Sequence, residues 1–164
     1  MKQAIKPARQ AERTHILAVD YGRARIGLAI ADETAQLAKP LATLDRINRN
    51  EDMRRLRELA RDHGVKQIIV GLPLRLDGTR GEMAEEAERF AQRAAKQIGV
   101  PVEMADERLT SWEAERLLEE EYGRVRREDS KRKSSSPADG QRSVDAVAAA
   151  VILKEYLERR RGQG

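Results

Sequence analysis

Three carboxylates in this chain of 164 residues stand where folding alone does not ask for a charge. Asp20 closes the short apolar run 16–19, just ahead of Tyr21 and Gly22; Glu107 follows the strand-like run 100–105 and Asp106; Asp145 borders an apolar stripe at helical spacing near the C-terminus. Both runs read as strands. Ligands of open α/β sheets lie outside the carboxyl ends of the strands, so a last helix crossing that edge brings the three acids together. Crowded carboxylates repel one another unless cations neutralise them. Two-metal phosphoryl transfer uses that arrangement, one ion activating water and the other stabilising the leaving oxygen. The same acids also have plainer uses. Asp20 can cap a turn, Glu107 can pair with Arg108, and Asp145 can cap the last helix; spacing alone does not choose between these uses and the metal site.

The donor set restricts the metal. There is no cysteine, and His15 and His63 are the only histidines, neither near another nitrogen ligand. Any ion is therefore a hard cation on oxygen, Mg2+ or Mn2+. With 32 basic against 28 acidic side chains, net charge +4 and pI near 9.6, the balance leans mildly toward an anionic partner. Arg23, Arg25 and Arg108 flank the acids and can hold phosphates or make surface ion pairs. Residues 122–142 lose all periodicity and gather Arg124, Arg126, Arg127, Lys131, Arg132 and Lys133 ahead of three serines. That stretch reads as a mobile basic loop, either an electrostatic arm for nucleic acid or merely solvated. Gly71, Gly78 and Gly81 with Thr79 can cradle a phosphate at a helix start, or simply make turns; no Gly-Lys-Ser/Thr follows, so this is not a P-loop. Aromatic residues make up only 3% of the chain, too few to stack single-stranded bases, and Trp112 reads as a core anchor.

The elements that must position these groups follow from apolar periodicity. Residues 16–32 read as a hairpin turning at Gly22, Arg23 and Ala24, and 40–44 as a third strand. A helix capped by Asn50 carries Met53, Leu56, Leu59 and Ala60 and stops at Gly64. Residues 65–70 make a strand buried on both faces, as parallel strands are. Thr79 and Glu82 have capping-box spacing ahead of a helix bearing Met83, Ala87, Phe90, Ala91, Ala94 and Ile98. Thr110 and Glu113 repeat that spacing. The last helix, starting near 138 or 141 and ending at 161, carries Val144, Val147, Ala148, Val151, Ile152 and Leu157 on one face. This is one α/β domain over residues 15–161, a mixed central sheet flanked by helices in three layers, behind a loose basic tail of residues 1–14. No segment fits a signal peptide or membrane span, so a soluble, cytoplasmic protein is expected.

Four stretches in order, AVDYGRARIGLAIAD with PLATLDR downstream, IVGLPLRLDGTRG, ADERLTSWEAERLL and SVDAVAAAVIL, resemble the successive motifs of the YqgF/RuvX family and cover most of the chain. The resemblance implies a ribonuclease H-like fold and a nuclease that matures the 5′ end of pre-16S ribosomal RNA; an older view of the family is a Holliday-junction resolvase acting on branched DNA. It also implies that Asp20, Glu107 and Asp145 are the catalytic, metal-binding acids, with Asp106 the neighbour most easily confused with Glu107. A ribosomal particle or assembly factors are conceivable partners, and the expected state is a monomer or weak homodimer. Two other classes stand beside the nuclease: a nucleic-acid-binding module that does not cut, and a nucleotide-dependent kinase or ATPase, which ordinarily needs two such domains. Before Asp145 the family pattern leads one to expect a basic run reaching an isoleucine, whereas this chain has Gly140, Gln141, Arg142, Ser143 and Val144.

Overall fold

The computed structural model of the protein describes residues 14–34, 37–75, 77–106, 116, 120, 123 and 137–162, with the side chains of the last segment from 144 onward. Five strands, β1 (His15–Tyr21), β2 (Arg25–Asp32), β3 (Lys39–Asp45), β4 (Val65–Leu72) and β5 (Val102–Asp106), form one sheet in the order β3-β2-β1-β4-β5. The β1–β2 and β2–β3 pairs are antiparallel, while β1–β4 and β4–β5 are parallel. The carboxyl ends of β1, β3, β4 and β5 therefore share one edge with the start of β2.

Strand alternation sorts the core into two layers. Leu17, Val19, Ile26, Leu28, Ile68 and Val70 face α1 (Arg49–Asp62) and α2 (Glu82–Ile98), meeting Met53, Leu56 and Phe90. Ile16, Ala18, Ala29, Ala31 and Ile69 face α3 (Pro137–Gly162), meeting Ala149, Ile152, Leu153 and Leu157. A strand such as β4 is covered on both sides, which is why its sequence reads as a continuous apolar run. Among the described residues no helix is long and apolar enough to cross a membrane.

Helix boundaries correct several expectations. Asn48, not Asn50, caps α1: its backbone is extended and its side chain accepts from the Glu51 amide at 2.9 Å. The Thr79–Glu82 capping box does not form. Thr79 instead gives both its amide (2.9 Å) and its hydroxyl (2.6 Å) to the Asp77 carboxylate, and α2 starts at Glu82 behind Gly81. Gly99 ends α2 in the left-handed conformation, φ 79°. The last helix reaches back to Pro137, a residue suited to a first turn because no amide hydrogen is needed there. Residues 137–142 of the stretch read as a loop are thus helical, as is Gly123; the rest of that stretch, like the Thr110–Glu113 spacing and Trp112, lies outside the described residues. The buried face of α3 is also rotated from the expected stripe. Ala146, Ala149 and Leu153 are buried with Val147, Ile152 and Leu157, whereas Val144, Ala148 and Val151 are only half-buried, because small residues let the helix lie close on the sheet.

Candidate functional site

Asp20 is the sixth residue of β1 and pairs in register with Gly27 of β2. By alternation it shares the α3 side with Ile16 and Ala18, while Tyr21 joins the opposite core. Gly27 is where α3 comes down. A Cβ on Gly27 would stand 2.0 Å from the Asp145 carbonyl oxygen and 2.4 Å from its carbon, so only glycine admits the helix backbone at this point. Asp145 lies about two turns inside α3, too deep to cap it. Its carboxylate takes the Arg25 guanidinium, Nε to Oδ2 2.6 Å, with both side chains half-buried. Strand β1, a glycine in β2 and the third turn of α3 thus bring Asp20 and Asp145 to one layer at one edge, with Arg25 balancing the charge of Asp145.

The third candidate acid, Glu107, lies outside the described residues, as do Arg108, Arg124, Arg126, Arg127, Lys131, Arg132 and Lys133. Its neighbour Asp106 ends β5 opposite Leu72 and borders a small cleft between Ala105 and the Ile152–Arg159 side of α3. Among the described residues no three histidine or carboxylate side chains cluster as metal ligands. The two acids that do share the edge are pure oxygen donors. That donor set fits Mg2+ or Mn2+, not zinc.

The turn after Asp20 is held by a network that sequence reasoning missed. Asp52, a charged residue only 2% exposed, accepts from Arg46 Nε (3.0 Å), Arg55 Nη2 (2.9 Å) and the Ile47 amide (3.0 Å). Arg46 in turn donates to the Tyr21 hydroxyl (2.8 Å) and the Gly22 carbonyl (3.2 Å), and its guanidinium stands 4.9 Å over the Tyr21 ring. Tyr21 packs on Phe90 with ring centroids 5.2 Å apart. Burial pushes the Asp52 carboxyl up, but the Ile47 amide and the two guanidinium groups outweigh it and hold the group below the ordinary carboxylate range. A signal was present: Asp52 precedes Leu56 and Ala60 by four and eight residues, a polar residue on the buried stripe of α1. Arg46 is the last residue of the PLATLDR stretch.

The other sequence candidates divide. Arg23 lies in the β1–β2 turn, exposed, and is taken by Glu86 (3.0 Å) and Glu82 (3.4 Å) of α2; hydrogen bonding to Glu86 raises its guanidinium from the ordinary value. Gly71 is inside β4, Gly78 makes a turn at φ 86°, and Gly81 precedes α2. With Thr79 committed to Asp77 and two acids, Glu82 and Glu85, in the first turn of α2, that helix start is already supplied with negative charge.

A solved structure, Thermus thermophilus RuvC in complex with Holliday junction substrate, superimposes with TM-score 0.57 over 91% of this chain and 96% of that one, at 18% identity. The sheet order and the three layers define a ribonuclease H-like α/β domain. The family profile described as RuvX, Holliday junction resolvase, matches residues 14–159. A protein of Anaeromyxobacter dehalogenans (strain 2CP-C) named "Putative pre-16S rRNA nuclease" is 45% identical over 144 residues, 88% of this chain and 96% of its own. A protein of the same name from Chloroflexus aurantiacus (strain ATCC 29366 / DSM 635 / J-10-fl) is 39% identical over 146 residues, 89% of this chain and 88% of its own. The chain belongs to the RuvX (YqgF) family, a family of nucleases and hence of hydrolases.

Proposed function

We propose that this protein is a metal-dependent endonuclease that hydrolyses phosphodiester bonds in structured nucleic acid, and that its substrate is the 5′ leader of pre-16S rRNA in ribosome biogenesis. The observation that carries this is the approach of α3 to β2 at Gly27, which sets Asp145 beside the strand pair bearing Asp20. Asp20, Asp145 and Glu107 would hold Mg2+ or Mn2+. Such a pair of ions supplies Lewis acidity, making water a nucleophile near neutral pH and stabilising charge on the leaving oxygen. The chain's own groups orient and neutralise. Arg25 anchors the Asp145 carboxylate and presents a guanidinium at the edge, suited to a phosphate oxygen. The Arg46–Asp52 network fixes the Tyr21–Gly22 backbone directly after Asp20. Arg108 and the basic residues 124–133 are assigned to phosphates flanking the cut. RNA is favoured by the names of the relatives; the alternative, resolution of branched DNA, is favoured by the description of the family profile and by the RuvC fold.

The test is cleavage of a labelled 16S precursor leader and of a four-way DNA junction, in Mg2+ or Mn2+, by the wild type and by Asp20→Asn. Cutting of the RNA that disappears in the variant supports the proposal. Symmetric cutting of the junction alone would transfer the function to the alternative, and equal binding without any cutting would leave a binding module.

A further inference from the structure

Several arginines of the α1–α2 layer are held in ion pairs. Arg23 meets Glu82 and Glu86, Arg54 meets Glu51 and Glu58, Arg80 meets Glu88, and Arg46 and Arg55 share Asp52. Arg49, Arg89 and Arg93, like the exposed Arg57, are in no ion pair among the described residues. The positions of the first three favour an isolated domain little: the charge of Arg89 helps lower the Glu86 carboxyl, but Glu86 is already held by Arg23. Arg49 is the first residue of α1, at the positive end of the helix dipole. Arg89 and Arg93 are four apart on α2, a like-charge spacing that weakens a helix. Arg93 is half-buried as well, and burial, followed by the charges of Arg49, Arg46 and Arg89, lowers its guanidinium from the ordinary value, with the Tyr21 phenol acting the other way. Arg49, Arg46 and Arg89 therefore all lie close enough to Arg93 to act on its charge, beside the Arg46–Tyr21–Phe90 stack. This stack starts one residue after Asp20, and both helices begin at the strand edge that carries the acids.

We propose that Arg49, Arg89 and Arg93 form a binding site for the sugar–phosphate backbone of a nucleic acid, on the α1–α2 face and continuous with the Asp20 edge around the β1–β2 turn. An unpaired cluster of this kind is stabilised by a polyanion, and forked guanidinium groups suit phosphate oxygens in particular. The inference rests on the nucleic-acid reading of the strand-edge site and extends it: one segment of the substrate lies at Asp20 while a flanking segment crosses α1 and α2. No base is read here, so RNA and DNA should be held alike.

The test is fluorescence anisotropy in EDTA, where nothing is cut, with a labelled 16S precursor leader and with a four-way DNA junction, over 50 to 200 mM salt. The double variant Arg89→Gln/Arg93→Gln should lower the salt slope by about 1.4 (single-stranded RNA) to 1.8 (duplex), so that affinity lost across that salt range shrinks by about 7- to 12-fold. Its melting temperature should not fall, since a repulsive pair has been removed. Arg89→Lys/Arg93→Lys, which keeps the charge, should retain most of the slope. Wild-type affinity and slope in the Gln variant on both nucleic acids would overturn the site, as would a weakening that tracks a lowered melting temperature and is not restored by lysine. Absence of metal-dependent cutting by the wild type would instead count against the nuclease, and leaves the slope comparison readable.

Discussion

Gly27→Ala tests the geometry of the site with a single methyl group. The new Cβ would stand 2.0 Å from the Asp145 oxygen, 2.4 Å from its carbonyl carbon and 3.1 Å from the Ala146 nitrogen, where ordinary contact begins at 3.4 Å. All three atoms are backbone of α3, so no side chain can swing aside. Either α3 withdraws by about 1.4 Å or β2 bends by that amount, and the Asp145 carboxylate moves with its helix. Overpacking of this kind costs about 1–3 kcal/mol. At about 2–4 °C per kcal/mol for a chain of this size, the melting temperature should drop by roughly 2–12 °C. A misplacement of about 1 Å at a reacting centre costs on the order of 100-fold in rate. Steady-state cleavage well below the variant's melting temperature should therefore show kcat reduced about 100-fold with KM little changed, because the arginines proposed to bind phosphate lie outside α3. Wild-type kcat in a folded Gly27→Ala protein would refute the claim that the α3 approach at Gly27 positions the chemistry.

The remaining predictions concern the supporting charges. Asp52→Asn should destabilise the protein by about 3–5 kcal/mol at pH 7, since it leaves guanidinium groups buried without their acid; Arg55 Nε is already buried there with no hydrogen-bond partner. Because the folded-state pKa of Asp52 is depressed, its contribution is present above the unfolded carboxyl value of about 3.9 and is lost as pH falls through the lower folded value. Chemical denaturation from pH 7 to pH 2 should accordingly show the gap between wild type and Asp52→Asn closing below about pH 4, and a constant gap would contradict the network. Arg25→Gln removes the partner of Asp145 and should slow cutting on the order of 100-fold while costing about 1 kcal/mol of stability or less, measured by paired cleavage and melting assays. Glu107→Gln should abolish cutting with binding retained; full activity would remove Glu107 from the site.

Much of this could be read from the residues because local rules and tertiary packing agreed. The hairpin, the two-face burial of 65–70 and the stripe of α2 each follow a period that the core then uses. Where two local signals competed, the choice was made by contacts distant in sequence or by geometry invisible in it. Asn48 and Asn50 are equal as caps on composition, yet only Asn48 takes the extended backbone that reaches the Glu51 amide. Thr79 had two possible partners, and Asp77, two residues away, outcompeted the capping box. The buried face of α3 departs from the stripe of larger side chains because the approach at Gly27 demands small ones. At the site, Asp20 and Asp145 stand out as charges beside apolar runs, but that Arg25 would join Asp145 across 120 positions of chain is a property of the fold alone. Asp52 and Arg46 escaped for another reason: Asp52 stands on the buried stripe of α1, but which cations neutralise it there is decided only when the helix is placed on the sheet.

The central claim is that Asp20 and Asp145 serve one metal site. The most direct measurement is a manganese titration of the wild type, Asp20→Asn and Asp145→Asn, following free Mn2+ by electron paramagnetic resonance on proteins shown to be folded. Saturable binding by the wild type that is lost or strongly weakened in both variants is the predicted result. Undiminished binding in both variants would contradict the account.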